Sequence, residues 1–182
     1  DAGLFSAARA WWMFKAMGHD NISVLDGGLP AWLAKQYPVS ASLEFKADVG
    51  DFTSVPKHQA FVNSAWLLSH LKQSNVIDAR SSGRFNGTAP EPRVGLRSGH
   101  IPGSSNLPFT ECIEAGKLKT VTELTTLFDQ CKVNSLQPLV FSCGSGVTAC
   151  VLALAASQVG YENLSVYDGS WSEWGAKAEL PI

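Results

Sequence analysis

The segment that most constrains the fold is residues 138–158, where an apolar run, a glycine-rich loop and an alanine-rich run follow one another. The apolar run, residues 138–142, predicts a buried strand, and residues 149–158 predict a helix. Between them lies the hexapeptide CGSGVT, residues 143–148, which we call the cysteine loop. A buried strand that passes through a tight loop into an apolar helix is typical of α/β domains with a mostly parallel sheet.

The cysteine loop also predicts a reactive thiol. Its glycines, Gly144 and Gly146, let the chain curl around Cys143 without Cβ clashes. The loop N–H groups and the start of the helix then favour an anion at the sulfur. We therefore expect a nucleophilic thiolate and sulfur or acyl chemistry. A cysteine at the end of a buried strand is also a common core residue, and it is the loop composition that favours a function.

Strands and helices alternate through the rest of residues 57–182. Apolar runs predict strands at residues 76–78, 104–107, 139–142 and 164–167. Helices are predicted at residues 63–71, and from Thr120, which forms a capping box with Glu123, to about residue 132. On the first of these helices one side carries Trp66, Leu67, Leu68 and Leu71. In such parallel sheets ligands bind beyond the carboxyl ends of strands, where the cysteine loop lies.

An internal repeat relates the two ends of the chain. A shift of 142 residues aligns Ala7 with Ala149, Gly18 with Gly160, Asp26 with Asp168 and Trp32 with Trp174. Both segments follow the order loop, apolar helix, glycine, short strand, Asp-Gly and tryptophan-containing helix, so the repeat indicates duplicated domains. In this alignment Asp1 falls opposite Cys143, in the middle of a domain.

We therefore predict three regions. Residues 1–37 are the C-terminal part of a non-catalytic domain whose beginning is missing, residues 38–56 are a linker, and residues 57–182 are the catalytic domain. A helix at residues 5–17 would expose a large apolar face on its own, so we expect it to pack against the missing first part of its own domain.

Composition narrows the class of partner. A net charge of −2 gives no basic surface for nucleic acid, and no apolar run is long enough to span a bilayer. The four cysteines form no C-x-x-C pair and the four histidines do not cluster with them, so neither a metal site nor a cofactor is predicted. We expect free thiols in a reducing compartment, the cytoplasm.

Four arginines lie in the irregular segment between Asp78 and His100: Arg80, Arg84, Arg93 and Arg97. A guanidinium matches a carboxylate in two parallel hydrogen bonds, so we expect the group to bind a substrate anion. The alternative for any one arginine is an ion pair with Asp78 or Glu91, or a solvated surface. His100, before a Pro-Gly turn, is expected to hold that turn rather than to act as a base.

The motifs VIDAR, HIPG, CGSGVT and YDGSWSEW begin at residues 76, 100, 143 and 167. With them the chain resembles the two-domain sulfurtransferases of the rhodanese superfamily. The resemblance implies that residues 1–37 close a non-catalytic rhodanese-like domain in which Asp1 replaces the cysteine. It also implies that residues 57–182 form a catalytic rhodanese-like domain, with a mostly parallel sheet flanked by helices, that carries sulfur as a persulfide on Cys143.

The loop after the cysteine separates two groups of that superfamily. Members that use thiosulfate carry basic residues there, whereas members that use 3-mercaptopyruvate carry CGSGV, as this chain does. The resemblance thus implies 3-mercaptopyruvate as a small-molecule sulfur donor, pyruvate as a product, and a small thiol, a thioredoxin-like protein or cyanide as acceptor. It assigns donor binding to Arg84 and Arg93, and either proton relay or a hydrogen bond to the donor to Ser145. The persulfide cradle is assigned to Gly144, Gly146, Val147 and Thr148.

Three alternatives stand beside this hypothesis. A thiosulfate sulfurtransferase is the nearest, and Gly144 and Ser145 argue against it. A non-catalytic rhodanese-like binding module usually lacks the cysteine. A Cys-x5-Arg phosphatase needs an arginine six residues after the cysteine, where this chain has Ala149.

Overall fold

The computed structural model describes residues 4–41, 49–134 and 136–182. The helices in these residues are α1 (Leu4–Ala16), α2 (Gly28–Ala34), α3 (Ser64–His70), α4 (Ser82–Phe85), α5 (Val121–Gln130), α6 (Ala149–Val159) and α7 (Ser170–Trp174). The strands are β1 (Phe61–Val62), β2 (Asn75–Asp78), β3 (Ser105–Asn106), β4 (Ile113–Glu114), β5 (Lys117–Leu118), β6 (Leu139–Ser142) and β7 (Leu164–Tyr167). Short 3-10 helices lie at Leu71–Gln73 and Phe109–Cys112.

Five strands form one parallel sheet in the order β1-β7-β6-β2-β3. The central strands β2 and β6 pair with Ile77 opposite Phe141 and Asp78 opposite Ser142. Strands β4 and β5 form a separate antiparallel hairpin. The predicted α/β fold with a parallel sheet flanked by helices is confirmed. Because the five strands run the same way, the carboxyl ends of β2, β6 and β7 meet at one edge of the sheet.

Side chains of the central strands alternate between two apolar cores. Val140 and Tyr167 belong to the core that includes α3 and α7, whereas Phe141 and Val166 belong to the core that includes α6. Helix α6 is apolar on all sides, and its residues 149–156 are buried. The sheet covers one side of the helix, and α1 and α5 cover the other. The cysteine loop therefore joins a buried strand to a buried helix, and both of its ends are held.

The first helix packs on residues 57–182. Trp11 and Trp12 are buried in the core that contains α6, and Trp12 Nε1 donates a hydrogen bond of 3.2 Å to Ala60 O. The other side of α1 is exposed, with Met13 and Phe14 each 48% exposed. One apolar side of the helix is thus covered within the chain. For the other side, packing against an upstream part of the first domain stays a prediction.

The first segment differs from the repeat in one element. The repeat predicts its short strand at residues 23–24, which align with residues 165–166 of β7. No described strand pairs with residues 23–24, so the ladder of hydrogen bonds that defines a strand is missing. Helix α2 takes the place that α7 has in the repeat. In the predicted linker, residues 38–41 and 49–56 carry no helix or strand, and residues 42–48 lie outside the described residues.

In residues 57–182 the predicted helices and strands are present, some with shifted ends. Strands β6 and β7 have the predicted bounds, and α5 begins at the predicted capping box but ends at Gln130. The prediction that Leu68 shares one side of α3 with Leu67 was wrong, since the Leu68 side chain is 43% exposed. Its neighbour Leu67 is fully buried, and successive residues of a helix point about 100° apart.

Candidate active site

Cys143 follows β6 directly and is 2% exposed. Its N–H donates a hydrogen bond of 3.0 Å to Ser170 Oγ, and its carbonyl accepts one of 2.9 Å from Trp171 N. The Ser170 hydroxyl donates in turn to Tyr167 O at 2.9 Å and lies 3.9 Å from Cys143 Sγ. The start of α7 therefore holds the backbone of the cysteine on both sides.

Ser170 is a site residue that the sequence analysis missed. Its φ is 49°, in the left-handed region, which costs a serine on the order of 1–3 kcal/mol, and its side chain is fully buried. The surrounding hydrogen bonds maintain this conformation and place the hydroxyl beside Cys143. The sequence feature that could have indicated Ser170 is its position directly after the Asp-Gly pair that follows β7. This places a polar residue at the same edge of the sheet as the cysteine loop.

The cysteine loop presents backbone donors beside the sulfur. Ser145 N donates to Cys143 Sγ at 3.4 Å, and Ser145 itself is exposed. Four further loop N–H groups donate to no acceptor among the described residues, and they belong to Gly144, Gly146, Val147 and Thr148. Such a set of unbonded N–H groups next to a thiol fits a bound anion, which would give each group an acceptor.

Both glycines of the loop are sites of close approach. Gly146 has a φ of 75°, and a Cβ there would lie 2.7 Å from Asp168 O, so a side chain would clash with the end of β7. A Cβ on Gly144 would lie 3.0 Å from Arg84 Nη2. The small loop residues thus bring the Arg84 guanidinium against the residue that follows Cys143.

Arg84 is held in that place by Glu91. Arg84 Nη2 lies 2.6 Å from Glu91 Oε2, and the other carboxylate oxygen lies 2.8 Å from Arg80 Nη1. Arg80 is buried, binds Asp78 as well at 2.7 Å and lies over the ring of Trp171. Arg84 remains 24% exposed, and its Nη1 has no hydrogen-bond acceptor among the described residues. Arg84 is therefore placed to bind an anion, and Arg80 is not.

The structure separates the remaining two arginines as well. Arg93 is exposed on the same irregular segment and forms no hydrogen bond or ion pair with the described residues. Arg97 donates to backbone carbonyls at the end of the chain, including those of Gly175 and Leu180. Of the four arginines, Arg80 therefore takes the alternative of an ion pair with Asp78 and Glu91, and the donors of Arg97 are likewise used inside the protein.

His100 holds its turn, as predicted. Its Nδ1 is 2.9 Å from Phe85 O, and its ring stacks on that of Phe85 with 3.9 Å between the centroids. This contact ties the end of α4 to the HIPG turn. Because α4 carries Arg84, the histidine helps to fix the arginine beside the cysteine loop.

Arg9 of α1 also reaches the site, and the sequence analysis missed it. Arg9 Nη1 donates to Asp168 Oδ1 at 2.7 Å and to Gly146 O at 3.2 Å. Burial opposes the charge of Arg9, but the hydrogen bond and charge of Asp168 outweigh it, so that the pKa of Arg9 is raised. The sequence feature that could have indicated a functional role for Arg9 is its position as a single arginine in the middle of an apolar helix.

The other cysteines are thiols at neutral pH. Burial raises the pKa of Cys112 and of Cys150 to about 12, and that of Cys131 to about 11. Cys150 is fully buried and donates its S–H to Gly146 O at 3.3 Å. In the described part of the chain no three histidine, cysteine or acidic side chains come together to hold a metal ion. None of the described helices has the length and apolar character needed to cross a membrane.

Comparison with known proteins defines the family. Residues 63–177, which include the cysteine loop and α7, match the family described as the rhodanese-like domain. The chain therefore belongs to the rhodanese-like domain family. The resemblance inferred from the four motifs is confirmed.

Two named enzymes illustrate the relatives of this chain. The 3-mercaptopyruvate sulfurtransferase of Escherichia coli (strain K12) is 42% identical over 184 residues, which are 100% of this chain and 65% of that protein. The thiosulfate sulfurtransferase of Rattus norvegicus is 42% identical over 182 residues, which are 98% of this chain and 61% of that protein. This chain thus spans less than two thirds of the length of either relative.

A solved structure agrees with these relatives. The crystal structure of SseA from Escherichia coli, presented with the "Rhodanese" fold of 3-mercaptopyruvate sulfotransferases, has a TM-score of 0.77 to this chain at 40% sequence identity. The similarity covers 94% of this chain and 64% of that one. The similarity therefore extends over nearly the whole of this chain, including the first segment.

Proposed function

We propose that the protein is a sulfurtransferase that moves sulfur from 3-mercaptopyruvate through a persulfide on Cys143 to a thiol or cyanide, with release of pyruvate. The observation that carries the proposal is the cysteine loop, in which Ser145 N–H donates to the Cys143 sulfur and the N–H groups of Gly144 and residues 146–148 have no acceptor among the described residues. The Arg84 guanidinium lies against Gly144. The loop supplies donors for a sulfur anion, and the arginine supplies a partner for a carboxylate.

In the first step the Cys143 thiolate attacks the thiol sulfur of 3-mercaptopyruvate. The S–S bond forms as the C–S bond breaks, and the electron pair of the C–S bond passes to the carbon to give the enolate of pyruvate. The proton of the donor thiol moves to that carbon, so the products are pyruvate and a persulfide anion on Cys143. We assign the relay of this proton to Ser145, which is exposed and whose N–H contacts the sulfur.

In the second step an acceptor thiol attacks the outer sulfur of the persulfide. The acceptor becomes a persulfide, its proton stays with it, and Cys143 leaves as the thiolate that begins the next cycle. Between the steps the N–H groups of residues 144–148 stabilise the persulfide anion. A small thiol, a thioredoxin-like protein and cyanide are the proposed acceptors, and the cytoplasm is the proposed compartment.

Donor binding is assigned to Arg84 and Arg93. The Nη1 of Arg84 has no acceptor among the described residues, and the guanidinium lies against Gly144, so it can pair with the carboxylate of a donor whose thiol sulfur is at Cys143. Arg93, exposed on the same segment, is assigned the second contact to the donor.

Transfer from thiosulfate is the second candidate activity, because the thiosulfate sulfurtransferase of rat is as similar to this chain as the Escherichia coli enzyme. The neutral residues Gly144 and Ser145 argue against it as the main activity. A dianion gains from positive charge next to the sulfur, whereas a monocarboxylate is served by an arginine further away. A non-catalytic binding module is less consistent with a site that retains both the cysteine and its loop.

The test compares two assays on the full chain. Pyruvate release from 3-mercaptopyruvate with a thiol acceptor is measured beside thiocyanate formation from thiosulfate and cyanide. Cys143→Ser should abolish both activities and leave the fold intact, while the control Cys131→Ser should retain them, since Cys131 lies outside the loop. A higher kcat/KM with thiosulfate would refute the proposed donor, and sulfur transfer by Cys143→Ser would refute the persulfide mechanism.

A further inference from the structure

We infer that Arg9 is a positioning residue for the cysteine loop. Its guanidinium holds the Gly146 carbonyl and thereby directs the Val147 N–H group to the Cys143 sulfur. This inference rests on the proposed function. Arg9 is 137 residues from Gly146 in sequence and belongs to the segment predicted as part of the non-catalytic domain. The first segment would therefore contribute directly to the geometry of the catalytic loop.

Three contacts fix the Arg9 guanidinium. A single nitrogen, Nη1, donates to Gly146 O at 3.2 Å and to Asp168 Oδ1 at 2.7 Å. The guanidinium carbon also lies 4.9 Å from the centre of the Phe61 ring. The Arg9 side chain is 23% exposed, whereas that of Asp168 is 55% exposed. The hydrogen bond from Arg9 to Gly146 O is thus better protected from water than the one to Asp168.

The orientation of the Gly146 peptide matters for the chemistry. In a planar trans peptide the carbonyl and the N–H of the next residue point in opposite directions. Gly146 O accepts bonds from Arg9 and from Cys150 Sγ, so the Val147 N–H is turned away from α1 and α6. That N–H has no acceptor among the described residues and is available to a persulfide anion.

A restraint on this peptide is needed because Gly146 is conformationally free. The peptide that follows turns by rotation about ψ of Gly146 and φ of Val147, and a glycine, which has no Cβ, permits a wide range of ψ. A flip would replace the Val147 N–H by the Gly146 carbonyl, and a carbonyl oxygen repels an anionic sulfur. The bond from Arg9 is charge-assisted, and it opposes this flip more strongly than the weak S–H donor of Cys150.

Arg9 could instead serve only to dock α1 through its ion pair with Asp168. Docking is already provided by Trp11 and Trp12, which are buried in the core that contains α6. The two roles use different bonds of the same nitrogen and are separable by substitution. Asp168→Asn removes the ion pair and leaves the Arg9–Gly146 bond, whereas Arg9→Gln removes both.

The experiment measures the lifetime of the sulfane sulfur on Cys143 after loading with 3-mercaptopyruvate, together with kcat and KM, in the full chain. Arg9→Gln should lower kcat and shorten the persulfide lifetime by about tenfold each, the size expected from one charge-assisted hydrogen bond. The KM for the donor should stay within about twofold, because the contacts of Arg84 are untouched. Arg9→Lys, whose single nitrogen can take the place of Nη1, should recover most of the loss.

Two variants serve as comparisons. Lys15→Gln makes the same charge change on the same helix, where Lys15 pairs with the exposed Asp20, and it should behave as wild type. Asp168→Asn should keep a persulfide lifetime close to that of wild type. Equal losses in Asp168→Asn and Arg9→Gln would overturn the inference, and so would a wild-type lifetime in Arg9→Gln.

The outcomes also separate this inference from the proposed function. A wild-type protein that takes no sulfur onto Cys143 would refute the proposed function, and the inference with it. If Arg9→Gln did not fold, the persulfide lifetime in Asp168→Asn would decide. A shortened lifetime in Asp168→Asn would assign the role of Arg9 to the ion pair and overturn the inference. A wild-type lifetime in Asp168→Asn, together with a folded and active Arg9→Lys, would support it.

Discussion

Glu91 is the carboxylate that joins the two arginines nearest the site. Its side chain is 3% exposed, and its two oxygens accept from Arg80 at 2.8 Å and from Arg84 at 2.6 Å. We predict that Glu91→Gln, which keeps the shape of the side chain, lowers both stability and donor affinity. The amide retains one acceptor oxygen but directs an NH2 group at one guanidinium, so that one donor faces another.

The expected size follows from these contacts. Losing a hydrogen bond to a buried charged partner costs about 1.5–3 kcal/mol, and removing one partner of a buried ion pair costs about 3–5 kcal/mol. Arg80 keeps its bonds to Asp78, so we expect the free energy of unfolding to fall by about 2–3 kcal/mol. For a protein of this size the Tm should then fall by about 4–12 °C. The KM for 3-mercaptopyruvate should rise by roughly 3- to 10-fold because Arg84 loses its support.

Urea unfolding followed by tryptophan fluorescence gives the free energy, and initial rates of pyruvate release give kcat and KM. Glu114→Gln is the matched control, since it removes the same charge from an exposed position on β4. It should leave both quantities unchanged. A free energy of unfolding for Glu91→Gln within about 0.5 kcal/mol of wild type would refute the reasoning, because that is the range of substitutions without a structural role.

Two further predictions concern the loop and its thiols. Gly144→Ala places a Cβ 3.0 Å from Arg84 Nη2, so the flexible guanidinium has to move. The KM for 3-mercaptopyruvate should rise several-fold, while the free energy of unfolding changes by less than about 1 kcal/mol. An unchanged KM in steady-state kinetics would contradict this prediction. Iodoacetamide at mildly alkaline pH should label Cys143 before Cys112 and Cys150, because a pKa of about 12 keeps these two cysteines as unreactive thiols. Peptide mapping by mass spectrometry measures the labelling, and equal labelling of the three cysteines would contradict the prediction.

Local sequence patterns account for most of the fold. Strands β6 and β7 were predicted with the correct bounds because short apolar runs between polar turns are themselves the signal for buried parallel strands. The capping box at Thr120 marked the start of α5 because both of its hydrogen bonds are local. The predicted strand at residues 23–24 failed because a strand needs a neighbour, and its own sequence does not supply one.

The arginines of the irregular segment show where such reasoning ends. All four have the residue type that binds carboxylates, and residue type alone does not separate Arg84, with a free Nη1, from Arg80 and Arg97, whose donors are used internally. The family resemblance pointed to Arg84 and Arg93, and the folded chain supplies the physical reason for Arg84. Residue type states what a side chain can bind. Burial and the placement of neighbouring groups decide what it does bind.

The sequence by itself determined the α/β class, the family, the position of Cys143 after a buried strand and the glycines that shape its loop, because each depends on residues close together in the chain. The tertiary structure alone decided which groups surround that loop. Ser170 contacts Cys143 across 27 residues, and Arg9 contacts Gly146 across 137. These contacts exist because parallel strands bring their carboxyl ends to one edge of the sheet and α1 packs on α6. The sequence predicted the parallel sheet, but no local pattern states which distant side chains meet at that edge.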